Sequence, residues 1–204
     1  AELEYKLYRS VFYSRGEIYI TLEEFKSQLN KIKTLVIEQH QSLYLDELES
    51  LIIKVNLFGF HFASLDIRQN SKIHDAVFKD IYDFYIKSNE SVFPKNYYDL
   101  SEQDKFEVLS NVKGALNPDD FENEITRLTI ESIQAIKVIQ GNNGELGANR
   151  YIISNNENAL NVMETFALIR LSDWENPTVD VVPLFESVDD LLNAHNVMEQ
   201  LYTN

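Results

Sequence analysis

Leu22, Phe25, Leu29, Ile32 and Val36 recur at steps of three and four, which predicts one helix with a single apolar stripe. Thr21, followed by Glu23 and Glu24, supplies an N-cap with acids in the first turn. A second helix over about 43–56 carries Leu45, Leu48, Leu51, Ile52 and Val55, and Gly59 permits a break after Phe58. The period then changes. Residues 60–67 read as an apolar strand that ends in Asp66, Arg68 and Gln69. A helix over 71–87 follows, with Ile73, Val77, Ile81 and Phe84 on one face, and then a loop over 88–99 holding Ser91, Pro94 and Asn96.

A short helix is expected around 101–110. Asn117-Pro118-Asp119-Asp120 opens a longer one that runs to about Ile139, and Gly141-Asn142-Asn143-Gly144 stops it. Two strand-helix units close the chain. Tyr151–Ser154 is a short strand, and Asn155, Asn156 or Asn158 caps a helix carrying Leu160, Met163, Phe166, Ala167 and Ile169. Asn176-Pro177 is a turn, and Val179–Phe185 is the last strand. The final helix, about 188–201, sets Val188, Leu191, Leu192, His195 and Met198 on one face. Strands alternating with helices imply βαβ units and a parallel sheet. The expectation is a helix-rich α/β fold with about three parallel strands, part of a larger parallel barrel or sheet.

Composition narrows the function classes. Of 204 residues, 44% are hydrophobic and 25% charged, enough apolar material for a core and too little Gly and Pro for disorder. The net charge of −15 repels phosphate backbones and anionic lipids, so neither nucleic acid nor a membrane surface is an expected partner. No apolar run approaches the roughly 20 residues that span a bilayer. The opening Ala1-Glu2-Leu3-Glu4 is acidic where a signal peptide would be basic, and its first residue is not Met, which reads as a processed or excised chain. There is no cysteine, so neither disulfides nor thiol chemistry carry this fold, and a cytoplasmic location is expected.

Two side chains stand where α/β enzymes bind anionic ligands, at the carboxyl ends of strands. In the strand at 60–68, Ser64, Asp66 and Arg68 alternate onto one face, and Ala63, Leu65 and Ile67 onto the other. The polar face is expected to line a cleft or barrel interior, with Arg68 near its mouth. Arginine offers a planar fork that suits a phosphate or carboxylate. The alternative is an Asp66–Arg68 pair that only organises the strand. Glu186 follows the last strand and offers oxygen to a hard divalent cation; the alternative is an acid favoured at a helix N-terminus. His40, His61, His74 and His195 lack metal-ligand spacing and read as structural, His61 on the apolar face of its strand. Ser154 has no histidine or nucleophile-elbow context, and residues 141–147 form a glycine-rich stretch that follows a helix rather than a strand.

The segment Phe58-Gly59…Leu65-Asp66-Ile67-Arg68-Gln69-Asn70-Ser71…His74 resembles phosphoenolpyruvate carboxylase. Three further stretches agree in order: Tyr98 to Leu109, Tyr151-Ile-Ile-Ser-Asn with Asn161-Val162, and Val182-Pro-Leu-Phe-Glu186 with Asp189-Asp190-Leu191. The resemblance covers nearly the whole chain. It implies a (β/α)8-type barrel, with a helical lead-in at 1–56 and a partial barrel at 57–204. It implies a lyase of carbon dioxide fixation that feeds the tricarboxylic acid cycle, carboxylating phosphoenolpyruvate with bicarbonate to give oxaloacetate and phosphate with Mg²⁺ or Mn²⁺. By the same resemblance Arg68 is the catalytic arginine that holds the substrate phosphate, Glu186 is one of two metal carboxylates, and the whole protein is a tetramer.

The family's Thr-Gly-His-Pro-Thr, Gly-Tyr-Ser-Asp-Ser and His-Gly-Arg-Gly-Gly segments are absent from this chain. An internal piece of the enzyme, inactive alone and prone to self-association through uncovered strand edges, is therefore expected. Two other readings stay open from the residues alone. One is a different α/β-barrel enzyme acting on a phosphorylated small acid. The other is a non-enzymatic helical scaffold.

Overall fold

A computed structural model describes residues 2–13, 19–88, 90 and 92–203. Ala1 of the acidic opening and Ser91 of the expected loop lie outside the described residues. The chain divides into two compact units, residues 1–64 with 139–147, and residues 65–138 with 148–204.

The smaller unit contains α1 (Glu2–Phe12), α2 (Leu22–Gln39) and α3 (Leu45–Phe58). Thr21 caps α2 as expected, its hydroxyl accepting from the Glu24 N–H at 3.1 Å. Ile20, Phe25, Leu29 and Val55 form its core, with Leu22, Leu48, Ile52 and Phe60 packed against them. Phe60 stacks on Phe25 at 5.8 Å between ring centroids. That packing overturns the expected start of the first strand. Residues 59–63 are turns and a bend: Gly59 has φ +53, Phe62 has φ +59, and Phe62 is 77% exposed. His61 therefore sits in a turn rather than on a strand face. An added Cβ at Gly147 would lie 3.2 Å from the His61 Cβ, which explains the need for glycine there.

The larger unit is built on a sheet of three parallel strands in the order β1-β2-β3. These are β1 (Asp66–Asn70), β2 (Arg150–Ser154) and β3 (Asp180–Pro183). Arg68 pairs in register with Ile152, and Ile152 with Val182, so these three share a face. On the other face Tyr151 and Ile153 are buried beneath helices. The fold is thus helix-rich α/β, with an open sheet whose Arg68 face carries exposed Asp66, Arg150 and Asp180.

The chain crosses from β1 to β2 through α4 (Ser71–Ser88), α5 (Glu102–Asn111) and α6 (Glu124–Asn143). Residues 88–99 are not loop throughout, because Tyr97–Asp99 forms a 3-10 turn whose Tyr97 is buried among Phe78, Tyr82 and Phe93. Asn117-Pro118-Asp119-Asp120 makes a separate one-turn 3-10 helix, and α6 begins only at Glu124, where the Asn123 side chain accepts from the Ile125 N–H. Its C-terminal end includes Gly141, and Gly144 at φ +91 follows the stop. Between β2 and β3 runs α7 (Ala159–Leu171), capped by Asn158.

The last helix, α8 (Val188–Thr203), docks through a face other than the apolar one picked out in the sequence. Val197 and Leu201 dock against Phe106, Ala159 and Met163. Leu192 is 70% exposed, and Val188, Leu191 and His195 also face solvent. A stripe at 190, 194, 197 and 201 competes with the one at 188, 191, 192 and 195, and the contacts available to Val197 decide between them. No helix among the described residues is long and apolar enough to cross a membrane.

One buried polar cluster and one partly exposed cluster tie α4 to its neighbours. Thr165 donates to the Asn161 carbonyl at 2.8 Å, so it accepts from His74 Nδ1–H at 3.0 Å. His74 Nε2 then accepts from the Tyr151 hydroxyl at 3.0 Å. Burial lowers the His74 pKa to about 4 and keeps the ring neutral. Nearby, Glu164 of α7 hydrogen-bonds with Asp75 of α4, which also accepts from Asn161 Nδ2. Burial, and then the Asp75 charge, push the Glu164 carboxyl up to about 8. Lys105 lies close enough to oppose that shift.

The signs of the two shifts differ. A neutral His74 favours the unfolded state as pH falls from about 6.5 to 4, where only the unfolded chain takes up the proton. A protonated Glu164 disfavours the folded state as pH rises from about 4.5 to 8, where only the unfolded chain has released its proton. Urea midpoints measured across pH should therefore decline from pH 6.5 to 8. Glu164→Gln should remove most of that decline, and an unchanged slope in the variant would show that Glu164 does not hold the proton.

Candidate active site

Residues on or just beyond all three strands meet in one cluster. Arg68 is the third of the five residues of β1, so it projects from mid-strand rather than from the strand's last position. Its Nη2 reaches Glu186 Oε1 at 2.8 Å. Glu186 lies three residues beyond β3, and its Oε2 accepts the backbone N–H of Asn155, just beyond β2, at 2.8 Å. The structure thus brings together the two residues singled out in the sequence, although 118 positions separate them.

Local sequence explains why Glu186 is available. Ser187 and Asp190 cap α8 reciprocally: the Ser187 hydroxyl accepts from the Asp190 N–H at 3.0 Å, and the Asp190 carboxylate accepts from the Ser187 N–H at 3.3 Å. The helix start needs no further acid, and Glu186 turns toward Arg68. Asp66 does not pair with Arg68; its carboxylate accepts from Arg150 Nη1 at 3.4 Å, on the same face. The alternative of an Asp66–Arg68 strand pair is therefore replaced by two cross-strand pairs.

The remaining sequence candidates lie apart from this chemistry. His74 is the buried structural histidine described above. Ser154 donates to the Gln69 carbonyl at 3.3 Å and so serves the sheet end. From the sequence alone, Asn155 reads only as a possible helix cap and Ser71 only as part of a motif. Yet Asn155 supplies the N–H to Glu186, and the Ser71 hydroxyl donates to the Asn155 carbonyl at 2.6 Å. The one available signal was an asparagine just past a strand, since asparagine tolerates left-handed backbone better than most residues.

Electrostatically the cluster places a permanent cation against a carboxylate with both side chains open to solvent, 53% for Arg68 and 42% for Glu186. A pair this exposed contributes little to stability, but it is accessible to ligands. Among the described residues no group of three or more His, Cys, Asp or Glu side chains could hold a metal ion.

The family model for phosphoenolpyruvate carboxylase matches residues 3–204. The chain belongs to the phosphoenolpyruvate carboxylase family. It is 32% identical to the phosphoenolpyruvate carboxylase of Nitrosomonas eutropha over 201 residues, covering 92% of this chain and 21% of the relative. It is 33% identical to that of Prochlorococcus marinus over 193 residues, covering 90% of this chain and 19% of the relative. With the enzyme of Synechococcus it shares 31% identity over 199 residues, 93% of this chain and 18% of the relative. The chain therefore spans about a fifth of the length of the phosphoenolpyruvate carboxylases it matches.

The exposure of the ion pair leads to a stability test that separates a scaffold role from a ligand role. Arg68→Ala should change the free energy of unfolding by less than about 1 kcal/mol, the range of exposed ion pairs. A loss several times larger in urea titration would mark Arg68 as structural.

Proposed function

We propose that the protein carrying this span carboxylates phosphoenolpyruvate with bicarbonate, giving oxaloacetate and phosphate, and that Arg68 and Glu186 are this span's share of the active site. The observation that carries the reading is the Arg68–Glu186 contact, which joins β1 to the segment just beyond β3 of a parallel sheet. In this reading β1, β2 and β3 are adjacent strands of a (β/α)8-type barrel. Their helix-covered face is the outside, and the face bearing Arg68 is the inside. The family also suggests a cytoplasmic enzyme that works as a tetramer.

The chemistry of each side chain suits that role. The Arg68 guanidinium presents two parallel N–H donors to a phosphate and neutralises part of its charge. It sits on a strand rather than a loop, so its base is fixed by the Ile152 pairing. Glu186 offers hard oxygen, and Mg²⁺ or Mn²⁺ binds through one or two carboxylates completed by water and substrate oxygens. Glu186 therefore fits as one donor, and the other protein donors would come from outside the described residues. A bound cation would supply stabilisation of negative charge developing on a substrate oxygen. The adjacent opposite charges of Arg68 and Glu186 match a ligand set that pairs a phosphate anion with a cation.

In the full-length protein, Arg68→Ala should lower kcat/KM for phosphoenolpyruvate by about 100-fold or more, the scale of losing one preorganised donor. Oxaloacetate is read by coupling to its reduction with NADH. The 204-residue chain alone should form no oxaloacetate in the same assay. An Arg68→Ala enzyme with unchanged kcat/KM would remove Arg68 from the site, and turnover by the isolated chain would show that it holds a complete one.

A further inference from the structure

The Glu186 carboxylate is held from behind by a device that the family reading does not require. Asn155 has φ +54, a left-handed backbone that asparagine adopts at some cost and β-branched residues avoid. On either side of it the chain is tied to Leu184: the Leu184 N–H donates to the Ile153 carbonyl at 2.9 Å, and the Asn156 N–H donates to the Leu184 carbonyl at 3.2 Å. Residues 154 and 155 stand off between these two bonds, and the turn directs the Asn155 N–H at Glu186. The carbonyl of the same residue accepts from Ser71, whose side chain belongs to the first turn of α4 and which is only 2% exposed. Ser71 is not needed to cap its own helix, because the Asn70 side chain accepts the Lys72 N–H at 3.0 Å. The Asn155 side chain is directed elsewhere, donating to Glu157 at 3.1 Å.

We propose that Ser71 is a positioning residue for Glu186, acting through the backbone of Asn155. The buried hydroxyl fixes the Asn155 carbonyl in the peptide that joins 155 to 156, the left-handed backbone of Asn155 carries that anchor to the preceding peptide, and the N–H of that peptide sets the orientation of the carboxylate. The ring of contacts closes through Arg68, so β1, β2 and β3 each contribute one arm. Holding Glu186 Oε2 by one backbone donor leaves lone pairs on both oxygens for a cation. It also removes the rotational freedom that a free glutamate would lose on binding. The inference rests on the reading of Glu186 as a cation ligand.

The test measures Mn²⁺ binding to the full-length protein by electron paramagnetic resonance of the free ion, alongside thermal melting. Ser71→Ala should weaken Mn²⁺ binding about tenfold, the lower end of losses when a group that orients a ligand is removed. Ser71→Thr, which keeps a hydroxyl, should restore much of it. Asn155→Gly, which keeps both the N–H and the left-handed turn, should bind Mn²⁺ more tightly than Asn155→Val. Asn155→Val should bind about as weakly as Ser71→Ala, because a β-branched residue disfavours that turn. The Asn155 pair carries the test if Ser71→Ala does not fold. Glu186→Gln is run in parallel. If Glu186→Gln leaves Mn²⁺ binding intact, both the cation reading and the positioning role fall. If it weakens binding while the folded variants Ser71→Ala and Asn155→Val do not, the positioning role alone is overturned.

Discussion

The parallel pairing of β2 on both of its edges is the constraint on which the larger unit depends. Parallel ladders cannot close through a tight turn, so helices must carry the chain back, and those helices cover one face. Tyr151 and Ile153 supply the apolar contacts for that cover, and His74 and Thr165 satisfy the one polar group that Tyr151 brings with it. All three strands then end on the same side. The cluster of Arg68, Asn155 and Glu186 is a consequence of that shared polarity rather than of any local motif.

The two faces of the sheet follow different rules. Beneath the helices, Tyr151, His74 and Thr165 pair their polar atoms and apolar side chains are enclosed. On the Arg68 face, charge is laid across neighbouring strands as Asp66 to Arg150 and Arg68 to Glu186. These pairs are exposed, so they add little to holding the strands together. The ladder and the buried face do the holding. That division lets the side chains of the exposed face vary with little penalty to the fold.

Much of this was legible in the sequence where one signal dominated. The stripe of α2 and its Thr21 cap, the burial of Val77 and Ile81 on α4, and the β2 strand all follow from local periodicity. Legibility failed where two local patterns competed or where a distant partner decided. Phe60 looked like part of a strand but was recruited to stack on Phe25. The apolar residues 188, 191 and 192 share one face of α8, but the helix docks through Val197. Arg68 and Glu186 were each identifiable as candidates from their types and places. Their contact was not, because no short-range pattern encodes a partner 118 residues away. The alternative partner for Arg68, Asp66, was ruled out only by the position of Arg150.

The long crossover between β1 and β2 bears on how the unit assembles. Asp66 and Arg150 are 84 residues apart, whereas Arg150 and its partner Asp180 enclose a loop of only about 30. Chain closure grows with the logarithm of loop length, so joining β1 to β2 carries an entropic cost about 1 kcal/mol greater than joining β2 to β3. The shorter unit, with α7 as its bridge, is the less demanding one to form. The arginine side of the candidate site is thus attached through the most distant pairing in the sheet, and the acidic side through the nearest.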